Sequence, residues 1–125
     1  MKRSADDGER RVLVVEDSLL IAMDMESLVG DCGCRVVGPV ADVASGLEVA
    51  RQHELDGALL DINLGDERVW PVAELLDQQG VPFVLTTGYS SSEIPPRFGD
   101  REVLQKPVAL EDLQRALGLI GVLPN

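Results

Sequence analysis

The chain has 125 residues, 45% of them hydrophobic, which suits one domain around one buried core and is too apolar for a disordered acidic chain. Eleven lysines and arginines against 22 aspartates and glutamates give a net charge of -11, which repels a phosphate backbone and excludes nucleic-acid binding by general electrostatic attraction. No apolar run reaches transmembrane length, and the polar stretch 1–10 lacks the apolar segment of a secretory signal. The expectation is therefore a flexible tail at 1–10, one domain over 11–125, and a cytoplasmic protein with no membrane partner.

Residues 12–15 form a continuous branched apolar run, the pattern of a strand buried on both faces. Ile21, Met25, Leu28 and Cys32 then share one helical face, closed by Gly30 and Gly33. Residues 35–37 predict a second strand that Gly38 and Pro39 end. Val43, Leu47 and Ala50 mark a second helix stopping near Gln52. Residues 58–60 predict the third strand, with Asp61 directly after it. Pro71 suits the first turn of a helix that carries Val72, Leu75 and Leu76 inward and stops at Gly80. Residues 83–85 and 102–104 predict the fourth and fifth strands, and Leu110, Leu113, Leu117 and Ile120 the last helix. Between those strands Pro95 and Pro96 allow at most one or two helical turns, in a segment expected to be mobile. Cys32 and Cys34, one residue apart, are too close for an unstrained disulfide and read as reduced thiols. His53 reads as an exposed residue after a helix, Trp70 as packing at a helix start, and Asp66 and Glu67 as a solvated loop.

Strand and helix thus alternate five times with one weak helix. This predicts an α/β fold with a doubly wound, five-stranded parallel sheet, flavodoxin-like, (βα)5, in strand order 2-1-3-4-5. Such sheets bind ligands at the carboxyl ends of their strands. The residues leaving those ends are Glu16 and Asp17, then Asp61 with Asn63 two places on, then Thr86, Thr87 and Gly88, then Lys106 and Pro107. Converging carboxylates repel one another and raise each other's proton affinity. Magnesium relieves this, with ligands expected from Asp17, Asp61 and the Asn63 backbone carbonyl, and from Glu16 through water. A carboxylate beside the ion can attack a phosphoryl group to give an aspartyl phosphate. Lys106 and a threonine hydroxyl can neutralise the remaining oxygens.

The set of Glu16–Asp17, Asp61, Thr87 before Gly88, and Lys106 before Pro107 resembles the receiver domain of two-component response regulators, from Arg11 to about Val122. That resemblance implies Asp61 as phosphoacceptor, Mg2+ as cofactor, and a phosphohistidine of a sensor histidine kinase or histidine phosphotransfer protein as donor. It also implies a cis Lys106–Pro107 peptide. It assigns the switch hydroxyl to Thr87, with Thr86 expected to alternate to the other side of the strand. Many receivers carry an aromatic residue three places before the lysine, and Val103 stands there instead. Leu85 to Tyr89 reads Leu-Thr-Thr-Gly-Tyr, similar to stand-alone receivers with a Phe-Ala-Thr-Gly-Tyr-like motif. The signal is thus expected to leave through Thr87, Tyr89 and the segment up to Phe98 rather than through Val103.

The resemblance implies a phosphoacceptor signalling domain rather than an enzyme acting on other substrates, whose output is contact with an unknown downstream protein or relay of phosphate. A haloacid-dehalogenase-type phosphatase would need an aspartate where Asn63 stands. A flavodoxin-like cofactor binder would have its phosphate repelled by Glu16 and Asp17. A degenerate receiver without phosphorylation would lack the acceptor or the acidic pair, and both are present.

Overall fold

A computed structural model describes residues 8–88 and 94–124. Five parallel strands make the sheet: β1 (Arg11–Val15), β2 (Arg35–Val40), β3 (Gly57–Asp61), β6 (Phe83–Thr87) and β7 (Val103–Gln105), in spatial order β2-β1-β3-β6-β7. Counting only these strands, that is the expected order 2-1-3-4-5. The helices among the described residues are α1 (Leu19–Asp31), α2 (Val43–Gln52), α3 (Trp70–Gln79) and α4 (Leu110–Leu119), with a 3-10 turn at Pro96–Phe98 before β7. A two-stranded hairpin, β4 (Asn63–Leu64) and β5 (Glu67–Arg68), sits between β3 and α3. It was not expected, since two residues per strand are too few to show an alternating pattern.

Alternation along each strand divides the core between the two faces of the sheet. Leu13, Val15, Ala58, Leu60, Phe83 and Leu85 pack on one side with α2 and α3 residues such as Val72 and Leu76. Val12, Val14, Leu59, Val84 and Leu104 pack on the other with Met25 and Val29 of α1 and Leu113 and Leu117 of α4.

Several boundaries differ from expectation. Strand β2 continues through Gly38 and a cis Gly38–Pro39 peptide to Val40, and the β1–β2 register shifts between Leu13 and Val15 to take up the irregularity. Gly38 has φ +96, and a Cβ there would lie 3.2 Å from the Val14 carbonyl oxygen, so the strand needs glycine at this point. Strand β7 starts one residue later than predicted, at Val103, and β6 runs two residues further, to Thr87. Arg10, assigned to the tail, is tied to the sheet edge: its carbonyl accepts from Arg35 N–H at 2.7 Å and its guanidinium lies 3.6 Å from Asp56. Residues 1–7 of the expected tail lie outside the described residues, as do Tyr89 and residues 90–93 of the segment expected to be mobile. Gly80 ends α3 in the left-handed region at φ 74. No helix among the described residues is long and apolar enough to cross a membrane.

Candidate functional site

Each polar residue of the site extends a file of core side chains by one rung. Val12 and Val14 lead to Glu16, Leu59 to Asp61, and Leu104 to Lys106, all on the α1/α4 face. Backbone hydrogen bonds just past the regular pairing hold them there. Glu16 N–H donates to Val40 O at 2.9 Å, and Lys106 N–H donates to Thr87 O at 2.8 Å. The unexpected extension of β2 is thus what anchors the first acidic residue. The Lys106–Pro107 peptide is cis, as expected from the resemblance.

Glu16 and Asp61 are almost wholly buried, whereas Asp17 is exposed. Lys106 Nζ lies 3.1 Å from Glu16 Oε1 and 3.2 Å from Asp61 Oδ2. The second oxygen of Glu16 accepts from Ser18 N–H at 3.0 Å, and Asp61 Oδ1 accepts from Asn63 N–H at 3.3 Å. Asp61 Oδ2 has its ion-pair contact with Lys106 but no hydrogen bond of good geometry, although it is buried. Burial pushes the Asp61 carboxyl up to about 7, the Glu16 charge pushes the same way, and Lys106 opposes both. Burial on its own would lower the Lys106 ammonium, but the Asp61 and Glu16 carboxylates more than offset it and the net direction is upward.

Carboxylate oxygens of Glu16, Asp17 and Asp61 all lie within 4.8 Å of one another. Three carboxylates therefore cluster where one lysine pairs with two of them, and one buried Asp61 oxygen has no hydrogen bond. That deficit fits a divalent cation with oxygen ligands, and the acidic cluster supports Mg2+ binding. The cluster opens onto a cleft of about 620 Å³ lined further by Asp24, Gly65, Gly88 and Pro107.

The chain matches the response regulator receiver domain over residues 12–118. It belongs to that family. It is 29% identical over 114 residues to the transcriptional regulatory protein PdtaR of Mycobacterium tuberculosis, covering 88% of this chain and 56% of that protein. It is 34% identical over 97 residues to the phyllosphere-induced regulator PhyR of Methylorubrum extorquens, covering 75% of this chain and 34% of that one. The chain thus spans about half the length of one curated relative and a third of the other. The solution structure of SdrG from Sphingomonas melonis Fr1 superposes with a TM-score of 0.81 at 40% identity, covering 90% of this chain and 96% of that one.

Within this receiver domain the structure brings Glu16, Asp17, Asp61, Asn63 and Lys106 to one cleft. Thr86 and Thr87 are both buried at the end of β6. The two threonines alternate across the strand as expected, and the register sets Thr86 on the acceptor's side: Thr86 is the Cα partner of Asp61, and it follows Val84 on the face that Leu59 and Asp61 share. Thr87 follows Leu85 toward the opposite face. Val103 is half-buried against the α2/α3-side core. Asp66 and Glu67 belong to the hairpin, where Glu67 accepts from Val43 N–H at 3.2 Å at the start of α2. Cys32 and Cys34 are free thiols held above their ordinary proton affinity, first by burial. His53 is exposed. Asp24 was missed as a cleft residue. Its place in α1 three residues after Ile21 and next to Met25, both on the predicted inward face, was the signal available.

Proposed function

We propose that Asp61 accepts a phosphoryl group from a phosphohistidine in a Mg2+-dependent reaction, and that the modified chain acts through protein contact or by passing the phosphate on. The observation that carries this reading is the buried Asp61 Oδ2, which lacks a hydrogen bond and lies 3.2 Å from Lys106 Nζ at the floor of an acidic cleft. The Asp61 oxygen forms the new O–P bond as the donor's N–P bond breaks, and the electron pair of that bond stays on the imidazole nitrogen. Asp17, Asp61 and the Asn63 carbonyl are the residues assigned to hold Mg2+, with Glu16 acting through water. When bound, the ion supplies positive charge that displaces the Asp61 proton and offsets charge on the transferring oxygens.

Lys106, shared between Glu16 and Asp61, pairs with one oxygen of the transferred group. Thr87 donates its hydroxyl to another. The strand register favours Thr86 as a second reading of that role, because Thr86 lies directly across from Asp61. Chemistry of this kind is confined to the chain's own phosphorylation and dephosphorylation.

The donor is a sensor histidine kinase or a histidine phosphotransfer protein. Leu19, Leu20 and Met23, 74%, 79% and 56% exposed, form an apolar ridge on α1 beside the cleft that suits its docking. Incubation with Mg2+ and acetyl phosphate, read by intact mass, tests the reading. The wild type is expected to gain one phosphoryl group, and the gain is expected to vanish with a chelator. A gain that is indifferent to Mg2+ would contradict the assignment.

A further inference from the structure

The chain contains four aromatic residues, one Trp, one Tyr and two Phe, and three of them meet in one stack. Phe98 lies against Trp70 with ring centroids 5.6 Å apart and planes 15° from parallel, and meets Phe83 edge-on at 5.7 Å. The position of this stack joins the two chain segments that leave the acceptor site. Trp70 opens α3 just after the loop from Asp61, and Phe98 is the buried end of the 3-10 turn reached from Thr87.

A line of backbone hydrogen bonds runs from the acceptor site toward Trp70. Ile62, the residue after Asp61, donates to Thr86 O at 3.0 Å, and Val69, the residue before Trp70, donates to Ile62 O at 3.1 Å. Lys106 N–H reaches the same strand end through Thr87 O at 2.8 Å. A hydrogen-bonded route thus joins Asp61 to the residue before Trp70, and Lys106 to the end of β6, the strand whose first residue, Phe83, meets Phe98. Weak contacts hold the stack from outside. The guanidinium of Arg97 sits 5.0 Å from the Phe98 centroid and ion-pairs with Glu74 of α3. Arg101 lies 4.9 Å from the Phe83 centroid and 2.9 Å from Asp77. Ion pairs and cation–π contacts such as these are individually small, so this outer clamp can be remade at little cost, while Phe98 itself is held by burial. Val103, by contrast, has no ring to move.

We infer that the Trp70–Phe98 stack is the conformational reporter of this switch: phosphorylation of Asp61 changes the ring contact and, through Arg97 and Glu74, the face that α3 shares with the 3-10 turn. The inference rests on Asp61 being the acceptor. Trp70 is the single tryptophan of the chain, so its emission reads the stack directly.

The test measures Trp70 emission maximum and acrylamide quenching on the full chain with Mg2+ alone and with Mg2+ plus acetyl phosphate, with phosphoryl loading followed by intact mass on the same samples. Loading is expected to shift both optical signals beyond the effect of Mg2+, and Asp61→Asn to abolish the shift. Phe98→Leu is expected to load normally and to lose the shift. Arg97→Gln, an exposed substitution that spares the core, is expected to load normally and to move the unloaded signal toward the loaded value. Full loading without an optical change overturns the inference and leaves the acceptor reading intact. An undiminished shift in Phe98→Leu, or an unmoved resting signal in Arg97→Gln, also overturns it. Absence of loading in the wild type overturns the acceptor reading and this inference with it.

Discussion

Asp61 is held in a setting that costs the fold stability, and the cost has a definite sign with pH. Its folded proton affinity, pushed up to about 7, exceeds the unfolded value of roughly 4. Between these values the native state binds more protons than the unfolded state, so stability falls as pH rises through the window and levels off above about 7. Asp61→Asn removes the ionisation and is expected to stabilise the metal-free chain at pH 8 by on the order of 1–3 kcal/mol. The gain should shrink toward zero near pH 4, which denaturant melts in chelator would show. The two threonines give a second test at this scale. Thr87→Ala is expected to slow phosphoryl loading by about tenfold or more, as expected for loss of one charge-assisted hydrogen bond, while Thr86→Val leaves it near wild type. The reverse pattern, measured by timed intact mass, would transfer the role to Thr86.

The elements show how the sequence places those residues. Gly80 closes α3 at φ 74, where a side chain is strained, and Gly80→Ala is expected to lower stability by about 1 kcal/mol in a denaturant melt without altering phosphoryl loading. Runs such as 12–15 and 58–60 were legible because strands buried on both faces must be continuously apolar. The residues that emerge from them, Glu16, Asp61 and Lys106, were legible because polar side chains directly after such runs have one place to go. The path of β2 through Gly38 and Pro39 was not legible, since both residues ordinarily end a strand. Only the register shift against β1 and the Val40 acceptor for Glu16 N–H make that path favourable. Which of the two threonines shares the acceptor's face was not legible for a related reason. Its orientation depends on the register of β6 against β3, which no local pattern in either strand specifies.

At the scale of the whole molecule, the sheet separates two apolar clusters, and the acidic site caps the one that joins α1 to α4. A chain of net charge -11 that gathers three carboxylates around one lysine gains stability from any cation that binds only the folded form. Millimolar Mg2+ is therefore expected to raise the melting temperature, with a stabilisation of about 2.7 kcal/mol at a hundred times the dissociation constant. Asp17→Asn should remove most of that increment, as differential scanning calorimetry with matched ionic strength would show. With Asp61 as acceptor, the new bond forms on the buried carboxylate at the end of β3. Reductive trapping with borohydride after loading with acetyl phosphate converts an aspartyl phosphate to homoserine, and peptide mass mapping then reads its position. Homoserine is expected at position 61 alone. Homoserine at position 17, or phosphate that resists reduction and maps to a threonine, would contradict it.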